Sequence, residues 1–375
     1  MGWGAQESFG LSVGAVTSPE TIERRAIDVS GGSKYSLILM SDGTAQAAGY
    51  ITSMDEYHGH LGLKGSDISE GSNIFQDISS SFDNDSMVSS PSFTRVFAGV
   101  DSEEFPGSIH SFFIDENGQA WATGSNKFGE LCLGDDVDRF IPTKVALDGK
   151  VSSVAIGSKH TLILLDDGNV YACGSNNDGQ LAIGDPDVSS INTPTKVDSL
   201  QDVRMISAGI DSSLFLASDG LFVSGKNEFG QLCVDTNRDS LFEPAPLEGV
   251  SANDVASFEA IATSSFILFK DGSVGACGRN NFGQLADGTN EDKTRVVVKP
   301  IPDVVPIIRL GVGPSSQSVF FVNENGSVYG TGLNDRGQLG VGDADNRNTL
   351  TLVEFSGDVL SNQHLSASGD HTLAR

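Results

Sequence analysis

An Asp-Gly or Asn-Gly dipeptide flanked by apolar runs recurs along this chain, at Asp42-Gly43, Asn117-Gly118, Asp167-Gly168, Asp219-Gly220, Asp271-Gly272 and Asn325-Gly326. Such a dipeptide between apolar runs is the strongest short-range signal of a β-hairpin, because both residue types reach positive φ at low cost. After one interval of 75, the glycines fall 50, 52, 52 and 54 residues apart. A hairpin repeated at a period of about fifty residues predicts units that pack only on their neighbours. The division into two or three domains that 375 residues would otherwise suggest is then unnecessary, and residues 1–375 are expected to form one domain.

Two further landmarks share the period. Gly49, Gly124, Gly174, Gly225, Gly278 and Gly332 close the returning strand of each hairpin. A Gly-Gln-Leu-like turn follows, at Glu130-Leu131, Gln180-Leu181, Gln231-Leu232, Gln284-Leu285 and Gln338-Leu339, with weaker copies at His60-Leu61 and Gly10-Leu11. Seven copies of this turn stand against six hairpins. The C-terminal Gly369-Asp370-His371-Thr372-Leu373 matches the start of a repeat such as Gly157-Ser158-Lys159-His160-Thr161-Leu162, and the N-terminal Trp3-Gly4 resumes after the missing turn. The expectation is an all-β, seven-bladed β-propeller of four short strands per blade, closed by a blade shared between residues 1–30 and 365–375. Within one repeat, strands are expected near 160–165, 169–173, 193–197 and 203–207.

Trp-Asp dipeptides and kelch-type Gly-Gly pairs are absent. The pattern is Gly-x-x-His-Thr, then Asp-Gly, then Gly-Ser-Asn-x-x-Gly-Gln-Leu-x-x-Gly-Asp, best preserved in 157–185, 311–343 and 118–135. It resembles the regulator of chromosome condensation repeat family over nearly the whole chain. The resemblance implies the seven-bladed ring and, for some members, guanine-nucleotide exchange on a small Ras-superfamily GTPase. Members that act on chromatin carry a basic tail, which this sequence lacks. A bare propeller of this length is also similar to the alpha-tubulin-suppressor group, which works through partner proteins. Light sensing, the role of a plant ultraviolet-B receptor of this fold, needs clustered tryptophans, and only Trp3 and Trp121 are present.

The formal net charge is −27, from 50 acidic and 23 basic residues, with no long basic run. Such a chain repels phosphate backbones, so direct nucleic-acid binding is not expected and a protein partner with a basic surface is. The first residues, MGWGAQESFG, carry no basic stretch followed by an apolar run, and no apolar stretch approaches spanning length. The expectation is a monomer, off the membrane, in the cytoplasm or nucleus. Cys132 and Cys233 follow the leucine of the turn, and Cys173 and Cys277 precede the strand-closing Gly. Like positions two blades apart lie beyond disulfide reach, so the four thiols are expected free, as suits a reducing compartment, and no zinc site is expected.

No catalytic residue, cofactor or metal site is expected, and the protein is read as non-enzymatic. His110, His160 and His371 occupy one repeat position, filled elsewhere by Tyr35, Ser212, Ser264 and Ser318. A catalytic triad needs one histidine set between one acid and one nucleophile, not a residue copied by symmetry. Asp135, Asp185 and Asp343 sit after the Gly-Gln-Leu turn on separate blades and read as turn residues rather than Ca²⁺ ligands. No Lys-Ser/Thr follows a Gly-x-x-x-x-Gly spacing, which excludes a P-loop, and His58-Gly59-His60 lies in a degenerate copy of the turn.

Function is expected where the repeat breaks. Gly59 follows Gly49 by ten positions against five from Gly124 to Gly129, and His110 follows Gly99 by eleven against three from Gly157 to His160. The Leu61–Gly99 stretch is also long. These inserts within 50–109 leave adjacent blades on the face opposite the hairpin turns. They are expected to form an acidic, aromatic-bearing partner site of Met54, Tyr57, Asp101, Glu103, Glu104 and Phe105. The leading expectation is a protein-interaction scaffold, and the second is nucleotide exchange on a small GTPase.

Overall fold

A computed structural model describes residues 2–4, 25–32, 35–49, 59–63, 75–78, 90–100, 109–299, 306–312, 317–353, 365–367 and 371–374. Strand β1 is Gly2–Gly4. Blade I comprises β2 (Ala26–Gly31), β3 (Tyr35–Met40), β4 (Ala45–Gly49) and β5 (Gln76–Asp77), and blade II comprises β6 (Phe93–Ala98), β7 (His110–Asp115), β8 (Ala120–Gly124) and β9 (Arg139–Lys144). Blade III holds β10 (Val151–Ile156), β11 (His160–Leu165), β12 (Val170–Ser175) and β13 (Ser190–Lys196). Blade IV holds β14 (Met205–Ala208), β15 (Ser212–Leu216), β16 (Leu221–Lys226) and β17 (Ser240–Pro246). Blade V holds β18 (Val255–Ile261), β19 (Ser264–Phe269), β20 (Val274–Gly278) and β21 (Lys293–Lys299). Blade VI holds β22 (Ile307–Gly311), β23 (Ser318–Asn323), β24 (Val328–Gly332) and β25 (Arg347–Leu352), and the chain ends with β26 (Leu365–Ala367) and β27 (His371–Ala374).

Each of the six blades is an antiparallel meander in sequence order. The first strands of the blades neighbour one another in series, β2 to β6, β10, β14, β18 and β22, and β26 neighbours both β22 and β2. These strands therefore form the inner ring of a propeller. Among the described residues the structure shows six four-stranded blades, where seven blades, one of them shared by the chain ends, are expected. The remaining place holds a three-stranded sheet, β1-β27-β26, in which Gly2, Trp3 and Gly4 pair with Leu373, Thr372 and His371. Two boundaries move as well. Residues 26–30, expected in the shared blade, belong to the inner strand of blade I, Ala26–Gly31. Each blade also starts one strand earlier than the hairpin landmark suggests, since 205–208 opens blade IV rather than ending blade III.

The landmarks follow from local geometry. Five of the six hairpin glycines have φ between 77° and 83°, and Gly220 is the exception. In blade III the turn closes with Gly168 N–H donating to Leu165 C=O (3.0 Å), and Gly168 rather than Asp167 is left-handed. Asp167 instead accepts from Asn169 N–H. The strand-closing glycines are forced by crowding and by φ: at Gly174 (φ +103°) a Cβ would lie 2.3 Å from Lys159 O. In the Gly-Gln-Leu turn the Gln oxygen accepts from the backbone two residues upstream, as from Asp178 to Gln180 (3.0 Å) and Phe229 to Gln231 (2.9 Å). An Asn then receives the leucine N–H, as Leu131 to Asn126 (2.9 Å) and Leu339 to Asn334 (2.9 Å).

The hydrophobic core lies in slabs between blades. One cluster joins Phe112, Ile114, Ala122 and Leu131 of blade II to Val154, Ile156, Ile163 and Leu165 of blade III. Similar clusters fill the other described seams. Polar relays run beside them. His110 Nε2 lies 2.8 Å from Thr161 Oγ1 of the next blade, and that hydroxyl donates to Glu130 C=O, so it accepts from Nε2–H. His160, Ser213 and Gln180 C=O repeat the arrangement. Tyr35 does the same work in blade I through Ser111 (2.8 Å) and His60 C=O. His110 and His160 are therefore buried seam residues that open the second strands of blades II and III.

The cysteines depart from expectation. Cys132 is bonded to Cys173 and Cys233 to Cys277, with Cα–Cα separations of 5.5 and 5.4 Å. Like positions are indeed far apart, but the two unlike positions face each other across a single seam, II–III and IV–V.

Burial holds His110 and His160 neutral, at a pKa of about 3, while the unfolded chain titrates near 6.5. Replacing His160 with Ala is expected to cost about 2–3 kcal/mol at pH 7 through the lost hydrogen bond and the cavity. Urea unfolding checks this. The difference should shrink as the pH falls below 6.5, because protonation of the unfolded native-sequence chain then already penalises its folded state.

A candidate partner-binding face

Residues Met54, Tyr57, Asp101, Glu103, Glu104 and Phe105 lie outside the described residues. Their points of attachment are described. Gly49 ends β4 opposite Tyr35, and His110 starts β7 opposite Gly124. Both points are at the blade ends away from the hairpin turns, on blades I and II, as the sequence suggests.

The seam between these points is closely bonded. The Tyr35 hydroxyl accepts from Gly99 N–H at 2.7 Å and lies 2.8 Å from Ser111 Oγ. The Tyr35 ring meets the His60 ring edge-on at 5.0 Å. Thr123 Oγ1 lies 2.9 Å from Gly59 O and 2.7 Å from Arg139 O, its single proton shared between two carbonyls. Gly59 (φ +92°) is so close to β9 that a Cβ there would sit 2.0 Å from Arg139 O and 2.6 Å from Phe140 Cα. The inserts therefore spring from a rigid base.

Beside that base, Val137 and Phe140 are 58% and 45% exposed, two of the few large apolar side chains left in solvent among the described residues. Acids surround them. Asp135 is bonded to Arg139 at 2.6 Å and caps its own turn by accepting from Val137 N–H, which holds its carboxyl below the usual carboxylate range. Asp136 is exposed beside them. Asp185 and Asp343 accept from Asp187 and Asp345 N–H in the same way, so these repeated acids are turn residues. Sequence reading missed Val137 and Phe140. The signal was an apolar residue on an outer strand and in a Gly-Asp loop, places that the other blades give mostly to polar residues.

Other chemistry is sparse among the described residues. No group of three or more His, Cys, Asp or Glu side chains is placed to hold a metal. Trp121 is 8% exposed and donates through Nε1 to Asp115 at 2.9 Å. A rim groove of about 740 Å³ between blades IV and V is lined by Val234, Leu241, Pro246 and Val296 with Arg238 and Arg295, and Asp235 already holds Arg295.

Two carboxyls stand apart. Glu130 takes the place of Gln in the turn and is fully buried. Its Oε2 accepts from Phe128 N–H at 2.7 Å. Gln180 donates to Ser175 Oγ (3.5 Å) in the matching place. Burial pushes the Glu130 carboxyl up, outweighing the lowering by backbone N–H groups and by Ser125. Glu259, on inner strand β18, is bonded to Ser207 Oγ (3.2 Å) and is pushed up to about 7, chiefly by burial. Carboxyls raised in the folded state penalise it once ionised, so stability is lost as the pH rises from about 4.5 through the folded pKa. Glu130→Gln and Glu259→Gln are each expected to raise the melting temperature at pH 8, with the gain gone near pH 4.5. Calorimetry across that range reads both.

Comparison with known proteins agrees with the repeat reading. Regulator of chromosome condensation (RCC1) repeats match at residues 117–164, 167–216 and 325–375, and again at 151–180. The ultraviolet-B receptor UVR8 of Arabidopsis thaliana is 28% identical over 268 residues, 70% of this chain and 60% of that protein. The probable E3 ubiquitin-protein ligase HERC4 of Homo sapiens is 32% identical over 283 residues, 72% of this chain and 25% of the ligase. The chain thus spans under two thirds of these relatives. Among solved structures, Prp20p of Saccharomyces cerevisiae, described with its binding to Gsp1p and histones, superposes with a TM-score of 0.75 at 19% identity over 100% of this chain and 90% of that one.

Proposed function

Because the chain is a propeller of regulator of chromosome condensation repeats, we propose that it is a non-enzymatic interaction module that binds a partner protein through the blade I–II face. One observation carries the reading. Val137 and Phe140 are exposed beside the base from which the two acidic inserts spring, and apolar anchors with a charged rim are what protein interfaces use. The net charge of −27 and the rim of Asp135 and Asp136 favour a partner with basic residues around an apolar patch. On this reading Met54, Tyr57 and Phe105 add anchors, and Asp101, Glu103 and Glu104 extend the rim.

Nucleotide exchange on a small GTPase is the second reading, favoured by the likeness in fold to Prp20p, which binds Gsp1p. Exchange prises a nucleotide site open rather than making bonds, so it asks for no catalytic constellation.

Affinity capture with the whole chain, read by mass spectrometry, tests the first reading. Replacing Asp101, Glu103 and Glu104 together with Lys, or Phe140 with Ala, should reduce recovery of the main partner about tenfold or more, with the melting temperature held within about 2 °C. Unchanged recovery by both variants would refute the assigned face. A panel of small GTPases loaded with a fluorescent nucleotide tests the second, where accelerated release by the intact chain is the expected sign.

A further inference from the structure

The two disulfides share one placement. Cys132 and Cys233 both follow the turn leucine and have left-handed backbones (φ 57° and 59°). Ala182 and Ala286 hold the same place with φ of 59° and 56°, and Gly62 and Gly340 with 69° and 67°. The partner cysteines precede the strand-closing Gly, where other blades carry Thr123, Ser224 and Thr331. Thr331 Oγ1 reaches back to Gly283 O at 2.9 Å, as Thr123 does to Gly59. This location is thus bridged by a hydroxyl at I–II and V–VI and by sulfur at II–III and IV–V. All four cysteines of the chain fall at these two repeat positions, and each has a partner. Chance would not seat four cysteines in two such pairs.

Burial distinguishes a staple from a switch. Cys132, Cys173, Cys233 and Cys277 are 1%, 0%, 6% and 0% exposed, so a reductant in solution has no path to sulfur while the seam is closed. Reactive, regulatory disulfides are exposed ones.

We propose that Cys132–Cys173 and Cys233–Cys277 are permanent staples of the propeller, formed in an oxidising compartment. In each, one protein thiolate attacks a disulfide oxidant and displaces one of its thiolates. The second protein thiolate then attacks the mixed disulfide, closing the Cys–Cys bond and releasing the other. Two cysteine thiols are oxidised and the oxidant's disulfide is reduced to two thiols, which take up the two protons the cysteines release. Such bonds persist in secreted, luminal and surface proteins, so the proposal names a compartment other than the cytoplasm or nucleus expected from the sequence. The proposal is independent of the partner-binding reading.

The test is thiol trapping with N-ethylmaleimide as the cells that naturally make the protein are lysed, followed by peptide mapping without reductant. The expected result is no alkylated cysteine and the linkages 132–173 and 233–277. Four alkylated cysteines, or other linkages, would overturn the proposal. In the purified oxidised chain, alkylation after millimolar reductant should appear only once denaturant is added, and ready reduction of the folded protein would refute permanence. The double variants Cys132→Ala/Cys173→Thr and Cys233→Ala/Cys277→Thr copy the Ala286–Thr331 seam, so they should fold. Each is expected to melt about 5 °C lower, and an unchanged melting temperature in both would count against a stapling role.

Discussion

Everything in this ring depends on the seam between blades. A four-stranded sheet has two faces and cannot bury either by itself. Here five of the six described clusters of buried side chains draw from two neighbouring blades, and the sixth, around Phe320, Val328 and Leu339, lies within blade VI, so most of the core sits in the seams. Isolated repeats of this kind are unstable and stacked ones are stable. Ring closure then decides whether the first and last seams are filled or left open to water. The pairing of β1 with β27 closes it by hydrogen bonds between strands far apart in sequence.

Polar groups make the seams specific. An apolar slab alone would tolerate sliding of one blade over the next. The directional bonds from His110 Nε2 through Thr161 to the Glu130 carbonyl fix one blade against the next, and those of His160, Ser213 and Gln180 do the same. Blades IV to VI place Ser at the histidine position, and Ser264 and Ser318 turn inward to carbonyls of their own blades, Arg279 and Leu333. The Cys233–Cys277 bond falls within that second half, where the long-armed relay from Tyr or His is missing. The first half has both, since Cys132–Cys173 shares its seam with His110 and Thr161.

Much of this was legible in the residues. Hairpin turns, closing glycines and Gly-Gln-Leu turns announce a backbone conformation that few residues can adopt, so their period gives the repeat. The blade boundary was not legible, because the inner strands Val151–Ile156 and Met205–Ala208 carry no turn chemistry of their own and read equally well as the end of one repeat or the start of the next. The disulfides were missed for a related reason. Symmetry relates Cys132 to Cys233, whereas covalent reach relates Cys132 to Cys173, and only the packing of one blade on the next shows which residues of different repeat positions meet. Val137 and Phe140 were missed because exposure, unlike periodicity, is a property of the assembled surface.

The ring also explains why one face should carry function. Repeated residues meet repeated partners, which leaves Asp135, Asp185 and Asp343 engaged in their turns and His110 and His160 engaged in their seams through Nε2. Free chemistry is left where the copies differ. Blades I and II differ most, and their shared seam is among the most densely bonded, with Tyr35, Gly99, Ser111, His60 and Thr123 tied in one cluster. A rigid base beneath variable segments lowers the entropy lost when those segments engage a partner. That is the arrangement by which a symmetric scaffold presents an asymmetric surface, as immunoglobulin domains and barrel enzymes also do with their loops.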